Sequence, residues 1–213
     1  WKGLKWYEGW VYRNADKVFF ISEEDRQFAM KWLKADPSKS IEVTYGIVQA
    51  GLPEDSLSSR AQICLKHAFP VTEKILLFNG ALYHSTNYDA LRVILDKINP
   101  VLLAQKNFKY KILVCGKGLP DSFDNLSGYI DKNIVYAGFV EDISVYFSAA
   151  DVFINPILSG GGVKTKAIEA LAMNCTVVST ELGAMGIQKQ VCGNKLYVVP
   201  EGEWNTFADL IVL

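Results

Sequence analysis

Short apolar runs rich in β-branched and aromatic residues alternate with stretches of helical periodicity along most of the chain, and few folds accommodate that alternation. A strand that is apolar on successive residues has to be covered on both faces. The covering helices must then come from the connections, which means βαβ units and a parallel sheet. The predicted strands are Lys17–Ile21, Ile41–Thr44, Ile75–Asn79, Lys111–Cys115, Ile134–Tyr136, Val152–Asn155, Thr176–Ser179 and Leu196–Val199. The predicted helices are Ser22–Leu33, Asn87–Ala104, Asp121–Gly128, Asp142–Ala149, Val163–Met173 and Glu203–Val212. Ser22 before Glu23-Glu24-Asp25, and Asn87 before Asp89, read as helix starts, because acidic groups favour the positive end of a helix.

At 213 residues, 50% of them hydrophobic and 21% charged, the chain can build an apolar core without disulfides or metals. The 22 Lys and Arg nearly cancel the 23 Asp and Glu, for a net charge of -1. That balance argues against nucleic acid as a partner and leaves membrane association at most peripheral. Trp6 and Trp10 share one helix face and read as core or interdomain packing. Cys64, Cys115, Cys175 and Cys192 show no C-x-x-C spacing and read as reduced thiols of a cytoplasmic protein. Cys64 and His67 are three apart with no second ligand pair, so no metal is expected. No apolar stretch approaches the roughly 18 residues of a membrane span.

Residues 1–48, which open on Trp1 rather than Met, are too few for a domain and read as the tail end of a preceding one. The segment Gln49–Gln62 mixes Gly, Pro, Ser and acids without periodicity; a linker is assigned to residues 49–70 and a second domain to residues 71–213.

The most informative segment is Ala149–Thr180, which runs strand, glycine loop, helix, strand. Gly160-Gly161-Gly162 leads directly into a helix whose first N–H groups lack intrahelical acceptors, a natural seat for an anion at the carboxyl edge of a parallel sheet. Lys164 falls within the apolar arc of that helix, where an ammonium is costly unless the side chain turns forward to the glycine loop, and Lys166 can follow it. Glu169 lies five residues below Lys164, about 7–8 Å along a helix axis, a depth suited to a ribose hydroxyl. The spacing of a P-loop fits no register of Gly160–Lys166, and Gly116-Lys117-Gly118 lacks the third glycine of a dinucleotide fingerprint. The bland alternative is a flexible loop followed by a solvated Lys166–Glu169 pair.

With these residues in place, nearly the whole chain resembles glycosyltransferase family 4, whose GT-B fold pairs two Rossmann-like domains. Ala15–Ser22 is similar to the last strand and helix start of the family's acceptor domain, and Thr44–Val48 stands where the family has its linker. Ile75–Gly80 with Asn87–Leu91, Lys111–Gly118 and Val135–Asp142 resemble the first three strands of the donor domain with their loops. The strongest match is the triple glycine with Lys164-x-Lys166-x-x-Glu169-Ala170-Leu171-Ala172, closing on Val177–Thr180.

The resemblance implies an α/β fold, a Rossmann-like parallel sheet with helices on both faces: a GT-B C-terminal domain with a remnant of the N-terminal one. It implies that Gly161, Gly162, Lys164 and Lys166 meet the donor diphosphate, the two lysines stabilising the leaving group, and that Glu169 meets the ribose. Gly80 and His84 would face the diphosphate and the cleft, with Gly116, Lys117, Val140 and Glu141 walling the nucleobase. No cofactor and no metal is implied. The implied activity is metal-independent transfer of a sugar, with retention, from a nucleotide-diphosphate donor to a glycan or lipid-linked acceptor held by the N-terminal domain. This piece alone would bind without turnover.

Two departures from the family pattern stand out. Many members carry a glutamate eight residues before the position of Glu169, where this chain has Gly161, and the loop Gly80–Thr86 lacks the usual Arg and Lys. A nucleotide-sugar epimerase of the same architecture and a non-catalytic nucleotide-sugar or protein-binding module remain alternatives.

Overall fold

The structure, a computed structural model, describes residues 2–47 and 56–213. The first unit contains α1 (Lys2–Asn14), β1 (Val18–Phe20), α2 (Glu23–Leu33) and β2 (Ser40–Glu42). β1 and β2 pair in parallel around a small cluster of Phe20, Ala29 and Ala35. Ser22 caps α2 as its position suggests: its Oγ accepts the Asp25 N–H at 3.2 Å, with Glu23, Glu24 and Asp25 in the first turn. Trp6 and Trp10 do not join a core. They are 66% and 48% exposed, because of the described elements mainly α2 packs against α1.

The second unit begins with α3 (Ser56–Lys66), continues with β3 (Lys74–Asn79) and α4 (Ser85–Val93), and passes through a π-turn, Ile94–Ile98, into α5 (Asn99–Ala104). The π-turn precedes Pro100, which has no N–H to give the helical ladder. There follow β4 (Tyr110–Cys115), β5 (Ile134–Gly138), α6 (Ile143–Ala149), β6 (Val152–Asn155), α7 (Thr165–Ala172), β7 (Thr176–Thr180), β8 (Leu196–Val199) and α8 (Trp204–Val212). The six strands form one parallel sheet in the order β5-β4-β3-β6-β7-β8.

Side-chain alternation along the strands sorts the core into two layers. Leu76, Phe78, Ile112 and Val114 join α4, α5 and α8 on one face; Ile75, Leu77, Leu113 and Cys115 join α3, α6 and α7 on the other. Each of these side chains is removed from water almost completely, worth about 1.5–3 kcal/mol for a Leu, Ile, Val or Phe. Burial also pushes the Cys115 and Cys175 thiols up to about 12. Cys64 is buried, and His67 Nε2 lies 3.0 Å from the Tyr146 hydroxyl.

Two stretches fold differently from the sequence reading. The assigned linker falls partly on residues 48–55, outside the described residues, but from Ser56 its remainder is helical: α3 packs on α6 through a narrow seam of Ser59, Ile63 and Cys64. Asp121–Gly128 is part of a longer run of 3₁₀ turns, Asp121–Lys132, broken by the left-handed residues Asp124, Asn125 and Leu126.

A charged clasp closes the amino edge of the sheet. Arg60 of α3 donates to Asp151 Oδ2 at 2.9 Å, to the Ala149 carbonyl at 3.2 Å, to the Val71 carbonyl at 2.9 Å, and to the Glu73 carbonyl. Asp151 also accepts the Ile75 N–H at 2.8 Å and Lys74 Nζ at 3.0 Å. Burial pushes the Asp151 carboxyl up, but the Ile75 N–H, Arg60 and Lys74 together hold it below its ordinary value. Because the folded-state pKa is the lower one, this stabilisation is complete above the unfolded carboxylate pKa and is lost as pH falls through the folded value. Asp151→Asn is expected to lower the unfolding free energy by about 2–4 kcal/mol at pH 7, since it strands Arg60 in a half-buried site. In urea titrations the gap between variant and wild type should narrow as pH drops toward about 3; an undiminished gap would refute the charge argument.

Candidate functional site

The strand order reverses at β3, which lies between β4, the next strand in sequence, and β6. β3 feeds α4 on one face of the sheet and β6 feeds α7 on the other, so their carboxyl ends diverge and leave a crevice between them. A cavity of about 170 Å³ occupies that crevice, lined by Asn79, Thr86, Asn87, Asn155, Ile157 and residues 163–166. A larger groove of about 740 Å³ lies between α1 and α2, away from the strand ends.

Two helices begin at the cavity. His84 stands at the N-cap of α4 and Lys164 at the N-cap of α7, and neither side chain caps its helix. First-turn N–H groups of both helices therefore remain without a side-chain acceptor, and their partial positive charge adds to that of the lysines. α7 begins two residues later than predicted, so Lys164 sits in the turn before the helix and not on its apolar arc. Its side chain nevertheless turns back onto the glycine loop: Nζ donates to the carbonyls of Gly160, Gly161 and Gly162 at 3.1, 2.9 and 3.0 Å. Lys166 is half-buried in the cavity wall. Burial lowers the pKa of both ammonium groups, opposed by the charge of Asp25 at Lys164 and of Glu169 at Lys166. Among the described residues, neither lysine has a carboxylate within 4 Å.

The crevice floor is main chain in close contact. A Cβ on Gly116 (φ 140°) would lie 1.8 Å from the Gly80 carbonyl oxygen, and one on Gly80 would lie 2.7 Å from Asn87 Cγ. Asn87, read in the sequence as a helix start, lies within the first turn of α4, where its Nδ2 donates to the Ala81 carbonyl at 3.0 Å. Behind the glycine loop, Thr180 Oγ1 donates to the Ile157 carbonyl at 2.6 Å and accepts the Gly183 N–H at 3.1 Å. Asn155 Nδ2 donates to Ser179 Oγ at 3.0 Å and to the Gly183 carbonyl at 2.9 Å. All three side chains are buried, so the entry to the loop is fixed by satisfied polar groups.

Of the residues singled out in the sequence, Lys164 and Lys166 meet at this cavity, with Gly161 and Gly162 in the loop beside it; Gly80, against the lining residue Asn87, and Gly116, against Gly80, lie behind the lining. His84 is exposed and lies against Tyr83, ring centroids 4.3 Å apart and planes tilted by 52°, outside the cavity lining. Lys117 and Glu141 are exposed beyond β4 and β5, Val140 is half-buried, and Glu169 lies further down α7, all outside the same lining. Asn79, Thr86 and Asn155 complete the cavity without having been singled out; the only sequence signal for two of them is an asparagine closing an apolar strand. Among the described residues no three His, Cys, Asp or Glu side chains group as metal ligands.

The sequence profile of the glycosyl transferases group 1 matches residues 73–213, the whole of the sheet that forms this crevice. The chain belongs to that family. It is 26% identical over 211 residues to a phosphatidyl-myo-inositol mannosyltransferase of Mycobacterium leprae, a match covering 97% of this chain and 50% of the relative. A 44.6 kDa protein of the Klebsiella pneumoniae cps region is 28% identical over 117 residues, 52% of this chain and 30% of the relative. The chain thus spans half or less of the length of these relatives. Among solved structures, a glycosyltransferase of Rickettsia africae superposes with a TM-score of 0.73 at 18% identity, over 98% of this chain and 55% of that one. The lipopolysaccharide glycosyltransferase WaaG superposes at 0.70 with 17% identity, over 92% and 52%. The fold is that of a GT-B glycosyltransferase, seen through its C-terminal half. Among the described residues no helix is long and apolar enough to cross a membrane.

The glycines of the crevice differ in what they tolerate. Gly116→Ala is expected to cost more than about 2 kcal/mol, because Cβ meets backbone and not a yielding side chain. Gly161→Ala, whose Cβ meets nothing within 4 Å, is expected to stay within about 0.5 kcal/mol of wild type. Thermal melts of the two variants test this, and equal melting temperatures would contradict it.

Proposed function

We propose that this chain is the donor-binding half of a glycosyltransferase that takes a nucleotide-diphosphate sugar, with the diphosphate seated in the crevice between β3 and β6. The observation that carries this reading is the meeting of two cations and two uncapped helix starts in one small cavity at the strand-order reversal. An anion there favours the charged form of Lys166 and offsets the burial that disfavours it.

In transfer, the bond between the anomeric carbon and the diphosphate oxygen breaks while the acceptor hydroxyl oxygen bonds to that carbon; negative charge collects on the departing phosphate, which then takes up the proton that the hydroxyl gives up. Fixed ammonium groups and helix ends that face this oxygen stabilise the charge more in the transition state than in the ground state. This assigns leaving-group stabilisation, without a metal, to Lys166 at close range and to Lys164 through the charge it adds beside the loop. Glu169 would bind the ribose, and Lys117, Val140 and Glu141 the nucleobase. The acceptor, a glycan or lipid-linked hydroxyl, would be held by a preceding domain of which residues 1–48 are the tail, with transfer retaining the anomeric configuration on the cytoplasmic side. Two similar proteins support the substrate class: the Anabaena HepE structures hold UDP with glucose or UDP-glucose, and the Mycobacterium leprae relative is named a mannosyltransferase. Gly161 stands where many family members carry a glutamate beside the sugar, and the lack of that acid/base group favours transfer over epimerisation.

Calorimetric titration with UDP, GDP and ADP tests the reading. At least one is expected to bind, and Lys166→Ala should raise its Kd about tenfold or more, the loss of one charge-assisted contact. No heat with any of the three would sink the assignment.

A further inference from the structure

We propose that Lys164 is a positioning residue that folds the glycine loop around its own ammonium, leaving Lys166 as the lysine that meets the diphosphate. The inference rests on the donor-binding reading above and separates two lysines that the sequence pattern treats alike.

An ammonium has three donors, and three carbonyl oxygens, those of Gly160, Gly161 and Gly162, converge on Lys164 Nζ at 2.9–3.1 Å. Its hydrogen-bonding capacity is filled from within the protein. The loop depends on it in return: among the described residues, no main-chain hydrogen bond involves residues 160–163. The loop is otherwise held only at its ends. Ser159 Oγ lies 3.3 Å from Thr86 Oγ1, and Val163 packs against Gly186.

The glycines serve this geometry. A Cβ on Gly161 or Gly162 would meet nothing within 4 Å, so crowding demands glycine at neither. Positive φ demands it at Gly160, at 91°, and at Gly162, at 71°, where the backbone turns so that successive carbonyls face one point. If Lys164 reached for a phosphate it would give up all three acceptors and release the loop. Lys166, on the cavity wall with no hydrogen-bond or ion-pair partner among the described residues, gives up nothing.

Two measurements on the 213-residue chain test the assignment. In the first, 15N relaxation order parameters of the Gly160, Gly161 and Gly162 amides are measured without nucleotide. They are expected to fall from rigid to flexible values in Lys164→Met, which keeps the aliphatic stem, and in Lys164→Ala, but to stay at wild-type values in Lys166→Ala. In the second, the Kd for the nucleoside diphosphate that wild type binds best is measured from low to high ionic strength. Lys166→Ala should flatten the salt dependence by removing a direct charge contact, whereas Lys164→Met should weaken binding several-fold with the wild-type slope. Wild-type loop order parameters in both Lys164 variants, or a slope flattened by Lys164→Met as much as by Lys166→Ala, would overturn the proposal. If wild type bound no nucleotide, the donor-binding reading would fall, and the order parameters would still decide whether Lys164 holds the loop.

Discussion

The sheet is organised around β3, whose two neighbours belong to different halves of the sheet. β4 and β5 are laid down on one side of it; the chain then returns and continues with β6, β7 and β8 on the other. Once that order is set, the connections leaving β3 and β6 run to opposite faces and leave a crevice that the Thr86–Ser159 contact spans only at one point. The crevice is a consequence of topology. Its chemistry is set by the side chains that enter it.

The two edges of the sheet use charge in opposite ways. At the amino edge, Arg60, Lys74 and Asp151 satisfy one another and tie α3, β3 and the start of β6 together. At the carboxyl edge, Lys166 is partly desolvated with no carboxylate within 4 Å among the described residues, an arrangement that costs stability unless something else needs it. Neutralised charge where the fold is locked, and unneutralised charge where strands diverge, is the distribution expected of a scaffold that gives up some stability at its site.

Much of this was legible in the sequence because parallel strands buried on both faces read as unbroken apolar runs. Ile75–Asn79, Lys111–Cys115 and Val152–Asn155 all lie in strands of the structure. α3 escaped because its buried seam is narrow and its exposed positions mix Leu57 and Leu65 with Ser, Arg, Gln and Lys, which blurs the apolar period of a helix. The 3₁₀ run escaped because three left-handed residues follow from local backbone choices that an apolar pattern does not encode. At the site, the glycine-lysine motif announced itself within a few consecutive residues. The contact of Thr86 with Ser159, and the bracket joining Asn155, Ser179, Thr180 and Gly183, unite residues from separate βα units, and only the strand order brings them together.

Gly186 extends these contacts to the first unit. With φ at 80°, it sits where a Cβ would come 2.6 Å from Val163 Cγ2 and 3.1 Å from Ser22 Cβ, so the rim of the glycine loop, the turn after β7 and the capping residue of α2 meet over a single hydrogen-bearing carbon. Any side chain at position 186 would have to push apart the valine that precedes Lys164 and the serine that caps α2, so glycine at this one position is what lets the first unit lie close against the rim of the glycine loop.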